Sequence, residues 1–439
     1  MKEFNVAIYG CGTVGGGVAQ IITEMNNELS KRSTVRINLK KIVELSPKTA
    51  SQKFNVPVEL FCGNGNDLTK DEANKYIQDI TNSPEIDLIV ETIGGCNDFI
   101  EKICTDILKA GKHLVTANKA LLAERGYAIY KAAEENNKII GFEAAVCGAI
   151  PIIKTIKESF SGDIIESVSG IMNGTSNYIL SKMQDENMDF TTALKLAQDN
   201  GYAEADPTLD ISGGDAGHKL IILMKLAFGL ELSMDELPIT GIQDITKEDI
   251  EFAKEIDSKI KLICFAKKVD GEVFASVCPM MVKNTNFLSD INGATNAVNL
   301  INKYAGKHVL VGAGAGSLET ASSIVADIIF ISRYTDNIIN PIQDRSPKFT
   351  DAKHFKFPYI LIFETEDKPG ITGLVTTAIG QNNINIDIVG HNMHKSERAI
   401  FSIATMPCTL QQIENAVELI KTKDPDVLLK DVKVIPILY

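Results

Sequence analysis

The chain has no apolar run near the ~18 residues a membrane-crossing helix needs, so its 44% hydrophobic content is expected in soluble cores. It has no basic excess: 44 Lys and Arg against 57 Asp and Glu leave a net charge of −13. With no basic stripe to offset that charge, nucleic acid is not an expected partner, and the acidity is read as serving solubility. The eight cysteines, Cys11, Cys62, Cys96, Cys104, Cys147, Cys264, Cys278 and Cys408, lack metal-ligand spacing and are scattered singly. No signal-peptide pattern is present, since Met1-Lys2-Glu3 leads straight into the strand-like Phe4-Asn-Val-Ala-Ile-Tyr9. A cytoplasmic location and reduced thiols are therefore expected. Cys11 and Cys147 fall in Gly-rich loops, where exposure to ligand and to oxidation is weighed against a small core residue's role. At 439 residues the chain is long enough for two or three domains.

The first 150 residues read as a doubly wound α/β domain. Val6–Tyr9 is a short strand, Gly10-Cys-Gly12-Thr13-Val14-Gly15 is G-x-G-x-x-G, and a helix follows. Strand, glycines and helix in that order are the context in which this motif binds a dinucleotide. The first glycine allows the turn, the second admits the pyrophosphate, and the third lets helix pack on strand, with the helix N-terminus facing the phosphates. A second strand is expected over 39–44. Glu44 at its end is the candidate for the adenosine ribose and favours NAD, while Lys48 would favour NADP. Further strands end at Thr92-Ile-Gly94-Gly95 and at Thr116-Ala-Asn-Lys119, so Lys119 is expected at the carboxyl edge of the sheet, where a nicotinamide would lie. The turn from Glu143 through Val146, Gly148 and Ile150 to Pro151 can offer carbonyl oxygens to a hard cation.

The stretch from Gly201 to Lys219 sets Glu204, Asp206, Asp210, Asp215 and Lys219 among glycines that cannot build a core. Such a run marks a functional loop. Asp215 and Lys219 are four apart at the start of an apolar helix, which puts both on one face. A carboxylate beside a lysine keeps the ammonium charged and aimed, suited to a developing oxyanion. The alternative is a surface ion pair of little worth. Asn173-Gly174-Thr175 is a second polar turn that opens a helix.

Residues 151–310 read as an α+β domain, with strands at 164–171 and 273–282 and helices at 175–185, 191–200, 215–229 and 248–267. Its sheet also offers a face or edge for self-association. Gly312-Ala-Gly-Ala-Gly316 precedes a helix from 321 that is expected to return to the first domain. Residues 334–357 read as a linker. Residues 358–439 read as βαββαβ, a ferredoxin-like unit with Glu366-Asp-Lys-Pro-Gly370 before its first helix.

Together these segments resemble the homoserine dehydrogenases: Gly10–Gly15, Glu91–Gly95, Thr116–Leu122, Glu143–Pro151, Asn173–Tyr178, Gly201–Lys219 and Gly312–Gly316, in order across residues 4–330. The tail, with Asp367–Gly370 and Ile384–Ile388, resembles an ACT domain, and the whole is similar to the single-function, longer form of the family. The resemblance implies reduction of L-aspartate 4-semialdehyde to L-homoserine by NAD(P)H, in threonine, methionine and isoleucine biosynthesis. It implies Lys219 and Lys119 around the reacting carbonyl, with Asp215 orienting Lys219. Glu204 and Asp210 would hold the substrate ammonium, beside Gly174 and Thr175. Gly10, Gly12, Thr13, Val14, Gly15, Glu44, Thr92, Gly94, Thr116, Lys119 and Gly316 would line the cofactor. Carbonyls of Glu143, Val146, Gly148 and Ile150 would hold a structural sodium ion. L-threonine as an effector at the tail is a hypothesis separate from the resemblance, and a homodimer or homotetramer is expected.

Two single residues and the tail depart from the family pattern. Glu44 stands where a basic residue is frequent, and Cys147 where a small residue is. His391-Asn-Met-His394 and Met406-Pro407 replace, respectively, a Gln-containing turn and a Thr-His pair. Two other classes compete: an amino-acid sensor without turnover, and a dehydrogenase of another small amino alcohol.

Overall fold

The computed structural model describes residues 2–333, 347–390, 393–395 and 398–439. Residues 334–346 of the expected linker, and His391 and Asn392 of the divergent turn, lie outside them.

Along the chain, β1 (Lys2–Tyr9), α1 (Thr13–Ser33), β2 (Val35–Val43), α2 (Pro47–Phe54), α3 (Lys70–Thr81), β3 (Leu88–Glu91), α4 (Asp98–Lys109), β4 (His113–Thr116), α5 (Lys119–Glu135) and β5 (Ile140–Gly141) alternate strand and helix. A short α6 (Ile152–Lys154), β6 (Ile165–Ile171), α7 (Gly174–Asp185), α8 (Phe190–Asp199), α9 (Thr208–Ile211), α10 (Gly214–Phe228) and α11 (Lys247–Glu255) follow. Next come β7 (Ser258–Val269), β8 (Glu272–Lys283), β9 (Thr295–Asn302), β10 (Gly306–Ala313) and α12 (Ser317–Arg333). The tail holds β11 (Lys348–Phe349), β12 (Tyr359–Glu366), α13 (Ile371–Gln381), β13 (Ile386–Val389), β14 (Met393–Lys395), β15 (Arg398–Thr405), α14 (Leu410–Lys423) and β16 (Lys433–Leu438).

Two compact units result. Of the described residues, the first comprises 2–165, 218–234 and 296–333. Its sheet has the order β2-β1-β3-β4-β5, with every pairing parallel. Parallel strands covered on both faces read as continuous apolar runs, and Leu88-Ile-Val90 and Leu114-Val115 are wholly buried. The helix after the 312–316 glycines does return to this sheet. Ile324 and Ile328 of α12 join Val6, Ile8 and Val90 in one core, and a Cβ on Gly17 would lie 3.0 Å from that of Ala321.

The second unit comprises residues 166–217, 235–295 and 347–439. In it β6, β7 and β8 are joined antiparallel. The tail forms a sheet in the order β16-β12-β15-β13, with α13 and α14 packed on Leu361, Phe363, Phe401 and Ile403. This is the ferredoxin-like order. The last strand has two partners: β16 lies antiparallel to β12 and parallel to β8, where Ile437 is opposite Met281.

The helix expected over 248–267 is corrected. It ends at Glu255, Asp257 takes a left-handed φ of 53°, and the run Ile260–Ala266, apolar but for the buried Lys261, is a strand instead. A fully buried apolar run has no period by which to tell the two apart. Strand β9 carries three asparagines, a residue depleted in strands, and gave no signal in the sequence. None of the eight cysteines is in a disulfide. Cys11 and Cys147 are buried, and burial, with Glu44 nearby, pushes the Cys11 thiol up to about 12. The core reading holds for both rather than exposure to oxidant.

Candidate active site

In the first unit the glycine turn divides the work between tightness and openness. Gly10 has φ +85°, and a Cβ there would lie 2.7 Å from the Thr92 carbonyl oxygen. On Gly15 a Cβ would lie 2.1 Å from the Gly10 carbonyl. Gly12 is different: no atom lies within 4 Å of its added Cβ. It is the N-cap of α1 and offers no side-chain hydrogen bond, so no capping side chain takes up the N–H groups of that first turn, the donors an anion site uses. Thr13 and Val14 follow in that turn, and the Thr13 carbonyl accepts from Ser317 Oγ at 2.6 Å, next to Gly316 at φ +136°.

A cavity of about 610 Å³ opens here, lined by Gly10, Gly12, Glu44, Thr92, Ile93 and Gly94. Glu44 stands one residue beyond β2. Its Oε2 accepts from Cys11 N at 2.7 Å, and its Oε1 from Leu45 N at 2.8 Å and Ser46 N at 3.3 Å. Three backbone donors thus fix a carboxylate in the cavity wall. Thr92 gives its hydroxyl to the Gly10 carbonyl at 2.8 Å, which locks the turn. Thr116 is fully buried and donates to Glu91 Oε2 at 2.7 Å, while Glu91 Oε1 accepts from Ile93 N and Gly94 N at 2.8 and 3.0 Å. Glu91 is therefore the buried anchor of the Gly94-Gly95 loop, a role that the sequence reading missed. Asn118 caps α5 through Leu121 N at 3.2 Å and donates to the Gly95 carbonyl at 2.8 Å. That sets Lys119, half-buried, as the first residue of the helix.

In the second unit Asn173 is the hub. Its Oδ1 accepts from Ser176 N at 2.8 Å and caps α7. Its Nδ2 donates to Asp210 Oδ1 and to Asp215 Oδ2, each at 2.7 Å. Two carboxylates are so brought to one amide. Ser176 Oγ holds the Asp210 carbonyl at 2.9 Å, and Thr175 Oγ1, beside Gly174, donates to the Tyr202 carbonyl at 2.6 Å. The amide of Asn173 was not singled out from sequence; only its position in a polar turn was. Glu204 is exposed on the loop before α9, and both amide hydrogens of Asn173 go to the other two carboxylates. α10 then carries Asp215 and, one turn on, Lys219, which is 7% exposed.

Residues 10–143 match the family described as homoserine dehydrogenase, NAD binding domain, and residues 151–329 match homoserine dehydrogenase. A homoserine dehydrogenase of Neisseria gonorrhoeae is 35% identical over 434 residues, covering 97% of this chain and 96% of its own. The chain belongs to the homoserine dehydrogenase family. One of Helicobacter pylori is 36% identical, with 96% and 98% covered. Among solved structures, that of a homoserine dehydrogenase from Thiobacillus denitrificans has a TM-score of 0.89 at 32% identity, covering 100% of this chain and 98% of that one. A hyperthermophilic archaeal homoserine dehydrogenase in complex with NADPH has a TM-score of 0.61 at 25% identity, covering 75% and 98%. Homoserine dehydrogenase activity, an oxidoreduction that uses a nicotinamide dinucleotide, goes with that membership. The chain is an oxidoreductase with a Rossmann-type domain, and no helix among the described residues is long and apolar enough to cross a membrane.

The turn proposed for a cation is tightly built in this member of the family. Cys147 and Gly148 both take left-handed φ, +54° and +51°, which accounts for the family's small residue at 147. A Cβ on Gly148 would lie 2.8 Å from the Gly314 carbonyl. The Gly148 carbonyl accepts from Ser323 Oγ at 2.8 Å and that of Glu143 from Val146 N at 3.4 Å, while Val146 and Ile150 are buried. The turn offers backbone oxygens, the donor type a hard cation takes. Below it, Glu143 Oε1 and Oε2 accept from Ile153 N and Lys154 N at 2.7 and 2.9 Å. Asp327 accepts from Glu143 N at 2.9 Å and pairs with Lys154 Nζ at 2.6 Å. Burial, and then Asp327, pushes the Glu143 carboxyl up to about 7.

Proposed function

We propose that the chain interconverts L-aspartate 4-semialdehyde and L-homoserine through Lys219 and Lys119, with Asp215 orienting Lys219. The observation that carries this reading is the buried Lys219 one helical turn beyond an Asp215 already fixed by Asn173. The bound nicotinamide supplies or accepts the hydride. A lysine ammonium donates a hydrogen bond to the developing alkoxide and a proton as it forms. Asp210 and Glu204 hold the substrate ammonium, with Gly174 and Thr175 beside it. Gly10, Gly12, Thr13, Val14, Gly15, Thr92, Gly94, Thr116, Lys119 and Gly316 form or brace the cofactor site. Glu44 favours NAD, because its fixed carboxylate accepts ribose hydroxyls and repels a 2′-phosphate. Carbonyls of Glu143, Val146, Gly148 and Ile150 hold a sodium ion. Residues 1–150 with 311–333 bind cofactor, and 151–310 bind substrate and pair subunits into a homodimer or homotetramer. Beyond a 334–357 linker, 358–439 is an ACT-like sensor of L-threonine. The enzyme acts in the cytoplasm, without nucleic acid as partner.

The test is oxidation of L-homoserine with NAD+ and NADP+ in parallel, with and without L-threonine, by wild type and Lys219→Ala. Turnover that is faster with NAD+, slowed by threonine, and cut about 100-fold or more by the substitution is expected. Near-normal turnover of Lys219→Ala removes that lysine from the reaction. Turnover that favours NADP+ removes the role given to Glu44. No turnover with either cofactor favours a sensor or another amino alcohol.

A further inference from the structure

His218, just before Lys219, is 5% exposed. Burying an imidazole is unfavourable unless it is hydrogen-bonded. Its Nε2 stands 2.8 Å from Oε1 of Glu124, which belongs to α5, the helix that Lys119 opens. An ionised carboxylate only accepts, so Nε2 is assigned the proton. The second oxygen of Glu124 accepts from the Cys96 thiol at 3.4 Å, and Cys96 directly follows the Gly94-Gly95 loop at the cofactor cavity. One carboxylate therefore links the cofactor loop, the Lys119 helix and the Lys219 helix. The other ring nitrogen, Nδ1, is buried with no hydrogen-bond partner among the described residues. As mere filling between helices, an imidazole is a poor choice, since a leucine or methionine would leave no polar atom unpaired. As a fixed donor to Glu124 it has a reason to be there.

The geometry points to His218 and Glu124 as positioning residues of the reaction: their hydrogen bond sets the spacing between the helices that carry Lys219 and Lys119, and Cys96 keys that spacing to the cofactor loop. This rests on the reading of the two lysines given above. Misplacement of a reacting group by about 1 Å lowers turnover by up to roughly 100-fold, whereas Asp210, one of the two carboxylates proposed to hold the substrate, is fixed separately by Asn173, and neither it nor Glu204 lies on the two helices joined by this bond. Loss of the bond should therefore lower kcat and spare KM.

The experiment uses the full chain, with His218→Ala, Glu124→Ala, the double Ala variant, His218→Gln and Glu124→Gln. Glutamine at 218 restores an N–H donor, and glutamine at 124 an acceptor. Each Ala variant is expected to lose about tenfold or more in kcat, with KM for L-homoserine within about threefold. The double variant should match the single ones, because both remove one interaction, and each Gln variant should recover most of the loss. Melting temperatures accompany every rate. Unchanged kcat in both Ala variants overturns the proposal, as does a loss in KM alone or a Gln variant as impaired as its Ala counterpart. If His218→Ala does not fold, the Glu124 pair decides, since the Glu124 side chain is 42% exposed and tolerates change. Lys219→Ala separates the two levels: normal turnover there removes the underlying reading, while a dead Lys219→Ala beside a normal Glu124→Ala overturns this inference alone.

Discussion

At the scale of single residues, the side chain with the most separable tasks is Asn173. Its oxygen caps α7 and its nitrogen bridges Asp210 and Asp215. Asn173→Asp keeps the cap, since aspartate caps helices as well as asparagine does, but replaces the shared donor with a third acceptor. Hydrogen bonds to charged groups are worth about 1.5–3 kcal/mol, so kcat/KM for L-homoserine is expected to fall at least tenfold. Asn173→Ala should add the loss of the cap, about 1 kcal/mol of stability. Steady-state rates beside thermal melts check both, and normal kcat/KM in Asn173→Asp removes the bridge from the site. Glu143 makes a prediction in pH. Its carboxyl rises from 4.5 to about 7 on folding, so the native state holds a proton that the unfolded chain has released between those values. The stability this gives is complete below 4.5 and disappears as pH rises to about 7. Relative to Glu143→Gln, wild type should therefore lose melting temperature from pH 5 to pH 7. Parallel curves for the two proteins would show that Glu143 holds no such proton.

At the scale of elements, the β1–turn–α1 unit separates stability from binding. Gly12→Ala adds a methyl where nothing lies within 4 Å, at an ordinary φ of −72°. Melting should be unchanged, while affinity for NADH falls at least tenfold because the methyl occupies the pyrophosphate's approach. Gly15→Ala drives a methyl into the Gly10 carbonyl and the Thr92 hydroxyl, and should lower the melting temperature by several degrees, as overpacking of roughly 1–3 kcal/mol does. NADH titration with thermal melts distinguishes the two, and equal effects of both substitutions would contradict the division. This unit was legible in the sequence because its glycines, strand and helix are contiguous. The Glu91–Thr116 bond and the Asn173 bridge were not, since they join residues 25 to 42 positions apart whose partners only the sheet and the helix starts bring together. The end of α11 was missed for another reason: a left-handed Asp257 terminates it, and aspartate is not the residue that announces such a stop.

At the scale of the whole molecule, the tail was legible as βαββαβ from its alternating apolar runs, but its attachment was not. Within the second unit it is built into the β6–β8 sheet and is no tethered appendage. β16 pairs with β8, Lys433 Nζ stands 2.6 Å from Asp249, and Asn286 Nδ2 donates to the Tyr439 carbonyl at 2.8 Å. Between the sheets, Phe265 and Phe274 meet Phe357 and Phe355, at centroid distances of 4.9 and 5.0 Å, around a cavity of about 360 Å³. Chain termination after residue 346 would bare the β8 edge and these aromatic faces together, the combination that drives association. The truncated protein is expected to run as aggregates in size-exclusion chromatography with light scattering, and Phe265→Ser with Phe274→Ser should return part of it to a defined oligomer. A truncated chain that is as soluble and heat-stable as the full one would show that the tail packs loosely. In that case, any response of the enzyme to L-threonine would have to pass by a route other than the β16–β8 pairing, because a strand whose removal costs no stability holds too little energy to shift the β6–β8 sheet.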